Sequence, residues 1–167
     1  MDKKIVLSSE LSMKINKIIT QLRQKVYPDC ILLTDISGQL LDSYARFKEI
    51  RVENLSALFA SNMGATNEIA TEISEDDGFE FNLHEGKHHN VFISKIASSF
   101  VLAIIFPTSE KVGVVRLFAK RASMELMQLI DEFETQVNVG LPKSLNKNFS
   151  GELSRQFMDL LEKNKKF

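Results

Sequence analysis

The stretch Cys30–Tyr44, CILLTDISGQLLDSY, reads as an apolar strand, a tight turn at Ser37–Gly38 and a second strand running back. Thr34 and Asp35 lead into the turn, and Gly38 can take the positive φ that a short hairpin loop demands. Amphipathic helix patterns flank this hairpin on both sides. A helix–hairpin–helix order with further strands downstream needs one sheet to cover the apolar faces of the helices.

Upstream, Leu11, Ile15, Ile18, Ile19, Leu22 and Val26 form one helical stripe, with Lys14, Lys17, Thr20 and Arg23 on the wet side. Ser8 or Ser9 can cap its start, and Tyr27–Pro28 ends it. Downstream, past the charged connection Arg46–Arg51, a second helix is expected over Val52–Ile73, with Leu55, Leu58, Phe59, Asn62, Met63, Thr66, Ile69, Ala70 and Ile73 on one broad face. Ser56, Ala57, Ala60, Ser61, Gly64, Ala65 and Thr66 make its middle unusually rich in small residues. Gly64 costs such a helix about 1 kcal/mol relative to alanine, so close packing is expected as compensation. That packing is either on the domain's own sheet or on another subunit.

The acidic break Ser74–Gly78 follows. Phe79, Phe81 and Leu83 then alternate with Glu80, Asn82 and His84, the period of a strand with one covered face, placed near a sheet edge. A turn at Glu85–Gly86–Lys87 leads to a strand around Val91–Ile96. The continuous apolar run Phe100–Phe106, ended by Pro107, is expected at the centre of the sheet with both faces covered. A third helix is expected over about Lys111–Phe133, with Thr108 or Ser109 as cap and Glu110 in its first turn. The order is helix, two strands, helix, three strands, helix, around a five-stranded, mostly antiparallel sheet. Residues 1–136 form this domain. Residues 137–167 divide into a linker over Val137–Ser150 and a short amphipathic segment carrying Leu153, Phe157, Leu160 and Leu161, too short to be a stable helix unless it docks.

At 167 residues the chain supports one domain with a proper core. Its 44% hydrophobic and 26% charged fractions and net charge of −1 are those of a globular protein. No basic stripe suggests nucleic acid, and no polybasic block or run near the roughly 20 apolar residues of a membrane span suggests insertion into a bilayer. The only cysteine, Cys30, rules out an internal disulfide. With no signal-peptide pattern at the start, a cytoplasmic setting is expected.

Candidate chemistry is sparse. The glycines form no phosphate-binding loop and no dinucleotide-binding turn, and Cys30 has no obvious histidine partner. His84, His88 and His89 gather around one hairpin turn and could hold a metal only with a fourth donor such as Glu85 or Asp77. Asp76 and Asp77 lack the further oxygen ligands of a calcium loop. Arg46, Arg51, Arg116 and Arg121 are the candidates for phosphate or carboxylate contacts. No catalytic, cofactor or metal site emerges, and the residues alone describe an interaction module rather than an enzyme.

The hairpin ILLTDISGQLLDSY, the helix NLSALFASNMGATNEIA, the strands up to FVLAIIF and the helix opening KVGVVRLFAKRA, in this order and spacing, resemble the roadblock / dynein light chain family. Within it they are most similar to the prokaryotic MglB-type regulators of Ras-like GTPases. The likeness covers about Leu11–Phe133, and D-x-x-G-x-x-L at Asp35–Leu41 and G-x-x-R at Gly113–Arg116 are its local marks. The polar Asp42–Ser43–Tyr44 and the charged Arg46–Arg51 depart from the family pattern. The resemblance implies an α+β (α/β) sandwich with two helices on one sheet face and the middle helix on the other. It also implies a homodimer built through the middle helix and the adjoining edge strand. Leu58, Ser61, Asn62, Ala65 and Ile69 would lie at that interface, with Phe81 on the strand. The function it implies is non-enzymatic: binding a small Ras-like GTPase and modulating its nucleotide cycle. A scaffold or adaptor subunit of a motor or membrane-tethering complex is the competing reading. A small-molecule sensor is a third, and requires an apolar cavity with convergent polar groups.

Overall fold

The computed structural model describes residues 8–75, 78–97 and 99–140, with side chains up to Asp131. Eight elements follow one another: α1 (Ser9–Val26), β1 (Cys30–Asp35), β2 (Leu40–Ala45), α2 (Val52–Glu72), β3 (Phe81–Glu85), β4 (His89–Ile96), β5 (Phe100–Pro107) and α3 (Val112–Gly140). The chain divides into two units, Met1–Leu129 and Ile130–Phe167. Of the second, the description covers only the end of α3. Asp76, Asp77 and the segment 141–167 with Leu153, Phe157, Leu160 and Leu161 lie outside the described residues.

The strands form one sheet in the order β2-β1-β5-β4-β3, and every neighbouring pair is antiparallel. The FVLAIIF run is central, as its unbroken apolarity predicts, and β3 is an edge. Alternation along the strands splits the core between two faces. Cys30 and Leu32 of β1, Ile93 of β4, and Val101 and Ala103 of β5 pack with Phe59 and Met63 of α2. Ile31, Leu33, Leu102, Ile104 and Phe106, all fully buried, alternate with these and face the side covered by α1 and α3. Those helices bury Ile15, Ile19, Leu22 and Val26 from α1, and Val115, Ala119, Ala122 and Leu126 from α3. The sandwich with α2 alone on one face is therefore present.

Local physics sets the ends of the elements. Ser8 caps α1, its hydroxyl accepting from the Leu11 amide at 3.2 Å. Tyr27, at φ +39°, closes α1 ahead of Pro28. In the β1–β2 hairpin, buried Asp35 accepts at Oδ1 from the Ser37 amide (2.9 Å), the Ser37 hydroxyl (2.7 Å) and the Gln39 amide (2.8 Å). Gly38 adopts φ +90°, and the Ser56 hydroxyl of α2 donates toward its carbonyl oxygen at 2.9 Å. The hairpin turn is thereby seated on α2.

Some boundaries differ from the sequence reading. β3 begins at Phe81, so Phe79 precedes the strand and is partly exposed. α3 starts at Val112, with the amides of Val114 and Val115 bonded to the Lys111 carbonyl. Thr108–Glu110 instead form a turn in which the Glu110 amide bonds Pro107, so Glu110 is not in the helix's first turn. At its other end α3 passes Phe133 and runs to Gly140, into the stretch read as linker. The backbone there keeps its helical bonds through Gly140.

The register of β1 against β2 shifts between Leu33 and Thr34, leaving Leu41 as the extra residue of a bulge. The shift lets Leu40 pack on the α2 side while Asp42 accepts from Asn16 of α1 at 3.3 Å. Burial pushes the Asp42 carboxyl above the ordinary aspartate range, against the opposing effect of its bonds to the Ser43 amide and Asn16. Because the folded-state pKa is raised, the ionised carboxylate costs stability once pH exceeds it, and the cost vanishes as pH falls below the unfolded value. Asp42→Asn is accordingly expected to raise stability at about pH 7, by an amount on the order of 0.5 kcal/mol. In urea melts the gain should disappear at about pH 3; an equal gain at both pH values would refute this assignment.

Candidate functional site

α2 turns Phe59, Ala60, Met63 and Ala70 inward. Leu58, Ser61, Ala65 and Ile69 recur at steps of three and four, which places them on one line of the opposite side. All four are exposed, Leu58 at 63% and Ile69 at 55%. Ala57 and Gly64 are exposed beside them. The outer face of α2 is thus a low ridge of very small side chains between two bare aliphatic ones. Such a surface lets another backbone approach closely and supplies apolar area at its margins. A Cβ at Gly64 would meet nothing within 4 Å, so packing inside the protomer does not require this glycine.

Asn62 is turned to the flank. Asn82 of β3 donates from Nδ2 to Asn62 Oδ1 at 3.1 Å and to Thr66 Oγ1 at 2.7 Å, and these bonds link the helix to the edge strand. Phe81 points the other way. It pairs in register with Ser94, stacks on Phe92 with centroids 4.9 Å apart, and carries the Arg116 guanidinium 4.4 Å from its ring centroid. The structure therefore groups Leu58, Ser61, Ala65 and Ile69, keeps Asn62 beside them, and sets Phe81 on the α3 side of the sheet. Along its free margin, β3 has no described strand to pair with.

The other candidates separate. His84 lies on β3 and His89 opens β4. His89 approaches the buried carboxylate of Asp29 at 3.5 Å, with the guanidinium of Arg46 at 3.9 Å on the same group. No group of three or more His, Cys, Asp or Glu side chains among the described residues is placed to hold a metal. Arg116 bonds Glu80, Arg121 lies over Phe118, and Arg51 occupies the N-cap position of α2. Burial, reinforced by the neighbouring Asp29 charge, pushes the Cys30 thiol up to about 11, so it stays protonated and unreactive at neutral pH. The Asp29–His89–Arg46 cluster escapes sequence reading because its members are far apart along the chain. The Ser56–Gly38 bond left only a faint trace there, one serine among many small residues.

No helix among the described residues is long and apolar enough to cross a membrane. Residues 14–106 match the family model of the Roadblock/LC7 domain. Among solved structures, the chain is 30% identical to MglB of Myxococcus xanthus, with a TM-score of 0.72 over 77% of this chain and 96% of that one. A gliding protein MglB from Thermus thermophilus is 22% identical, with a TM-score of 0.73 over 79% and 99% of the two chains. An uncharacterised protein of Aquifex aeolicus (strain VF5) is 22% identical over 125 residues, 68% of this chain and 73% of that protein.

Proposed function

The chain belongs to the Roadblock/LC7 domain family, and from that premise we propose that it is a homodimeric, non-enzymatic regulator that binds a small Ras-like GTPase and alters its nucleotide cycle. The observation that carries this reading is the likeness to MglB at 30% identity, spanning nearly the whole of that chain. It fits the implication of the sequence resemblance to MglB-type regulators. The exposed line Leu58–Ser61–Ala65–Ile69 and the free margin of β3 support self-association.

Regulation of this kind needs no active site in the regulator. A surface that binds one switch conformation better than another shifts the GTPase between them, and the shift is limited by that difference in affinity. No arginine is assigned as a finger, because none stands in a setting that demands one.

The test is GTP hydrolysis and nucleotide exchange by a Ras-like GTPase from the same genome, with and without the full chain. The expected result is binding that prefers one nucleotide state by about tenfold or more, with a changed rate in at least one assay. Absence of binding in both states would overturn the proposal. Binding with unchanged rates would instead support the scaffold reading.

A further inference from the structure

On the α3 side of the sheet a cleft of 180 Å³ opens between β3, β4 and α3. Its walls are Phe81, Phe92, Ile96, Met124 and Met127. Ser94 and Ser123, also lining it, are satisfied by each other at 3.2 Å, so the interior makes no unmet polar demand. The two methionines are exposed, at 52% and 40%, and form a wall that can reshape around a guest. At the rim stand the cations Arg116 and Lys120 and the anion Glu80, and Lys95 also lines the cleft.

Glu80 bridges them, with Oε1 2.5 Å from Lys120 Nζ and Oε2 3.3 Å from Arg116 Nη2. The pairing is exposed and holds the Glu80 carboxyl below the ordinary glutamate range, with Lys120 the main cause. It demonstrates the geometry in which a carboxylate spans both cations. An ion pair this open is also weak enough to be exchanged for another.

We propose that this cleft binds a short apolar monocarboxylate, its chain among Phe92, Ile96, Met124 and Met127 and its head replacing Glu80 between Arg116 and Lys120. The cationic excess of the lining, Arg116, Lys120 and Lys95 against Glu80, selects an anion. The volume is below that of sites for drug-sized ligands and selects a short chain. Neither argument depends on the GTPase reading, because both rest on the volume and charge of the cleft itself.

The probe is octanoate, titrated into the full chain with methionine methyls observed by NMR. Saturable shifts are expected at Met124 and Met127, with Met13 and Met63 unmoved. Arg116→Ala combined with Lys120→Ala should weaken binding about tenfold or more. Glu80→Gln, which removes the competing internal anion, should tighten it about threefold. Shifts of equal size at Met13, equal response to neutral 1-octanol, unchanged affinity in the double variant, or weaker binding in Glu80→Gln would each overturn the proposal.

Discussion

Gly38→Ala is expected to cost about 3 kcal/mol of stability, lowering the thermal midpoint by roughly 10 °C. Two independent penalties combine. The residue sits at φ +90°, where an L side chain crowds its own backbone. An added Cβ would also lie 2.9 Å from the Cα of Ala57, and a backbone atom inside a helix cannot swing aside. The hairpin would have to lift off α2 and give up the bond from Ser56 to the Gly38 carbonyl oxygen. Gly38→Asn separates the two causes, because asparagine tolerates positive φ but still carries the offending carbon. It should recover only part of the loss. A midpoint for Gly38→Asn equal to wild type would show that the contact with Ala57 is of no consequence.

Ala65→Arg should weaken self-association about 100-fold while leaving the protomer folded. Ala65 is exposed at the middle of the line Leu58–Ser61–Ala65–Ile69, so the long side chain meets no neighbour within the protomer. Between two helices brought close by their small residues, it would have no room. Sedimentation velocity is the direct readout. The wild type should show at least twice the protomer mass, and the variant a single protomer mass at the same concentration. Circular dichroism and thermal midpoint should match between the two. A variant that keeps the wild-type mass would place the contact surface elsewhere. Any effect of the protein on a GTPase that needs the paired form should fall away with it.

What could be read in advance followed the strength of the hydrophobic pattern. α1 and β5 announce themselves because a continuous stripe and a continuous run each have one compatible environment. The spacing in α2 puts Leu58, Phe59, Met63 and Ile69 on one broad face, but the structure divides it, burying Phe59 and Met63 and exposing Leu58 and Ile69. Small residues do not mark the outer side, since Ser56 and Ala60 are buried while Ser61 and Ala65 are exposed. Alternation fixed that Phe81 and Asn82 lie on opposite faces of β3, but a period of two does not say which of them looks at α2. Asn62 and Thr66 decide it by offering partners to Asn82, and that pairing joins residues 16 and 20 positions apart. The bulge at Leu41 was equally hidden. Nothing in LLDSY marks the extra residue, which is revealed only by Leu40 and Asp42 serving different faces. The rim of the α3-side cleft joins Glu80 to residues 36 and 40 positions later, so no local motif carries it.

The kink in β2 has a bearing on what the molecule does in a crowd. A sheet with two straight, open borders can add copies end on end without limit, which is the geometry of fibres. Here one border is interrupted at Leu41 and carries a carboxylate and a hydroxyl at its centre, while β3 is straight. Two copies meeting border to border at β3 about a twofold axis use up the sites that invite growth. A dimer of that kind would be a finite particle whose remaining borders are poor templates for further growth.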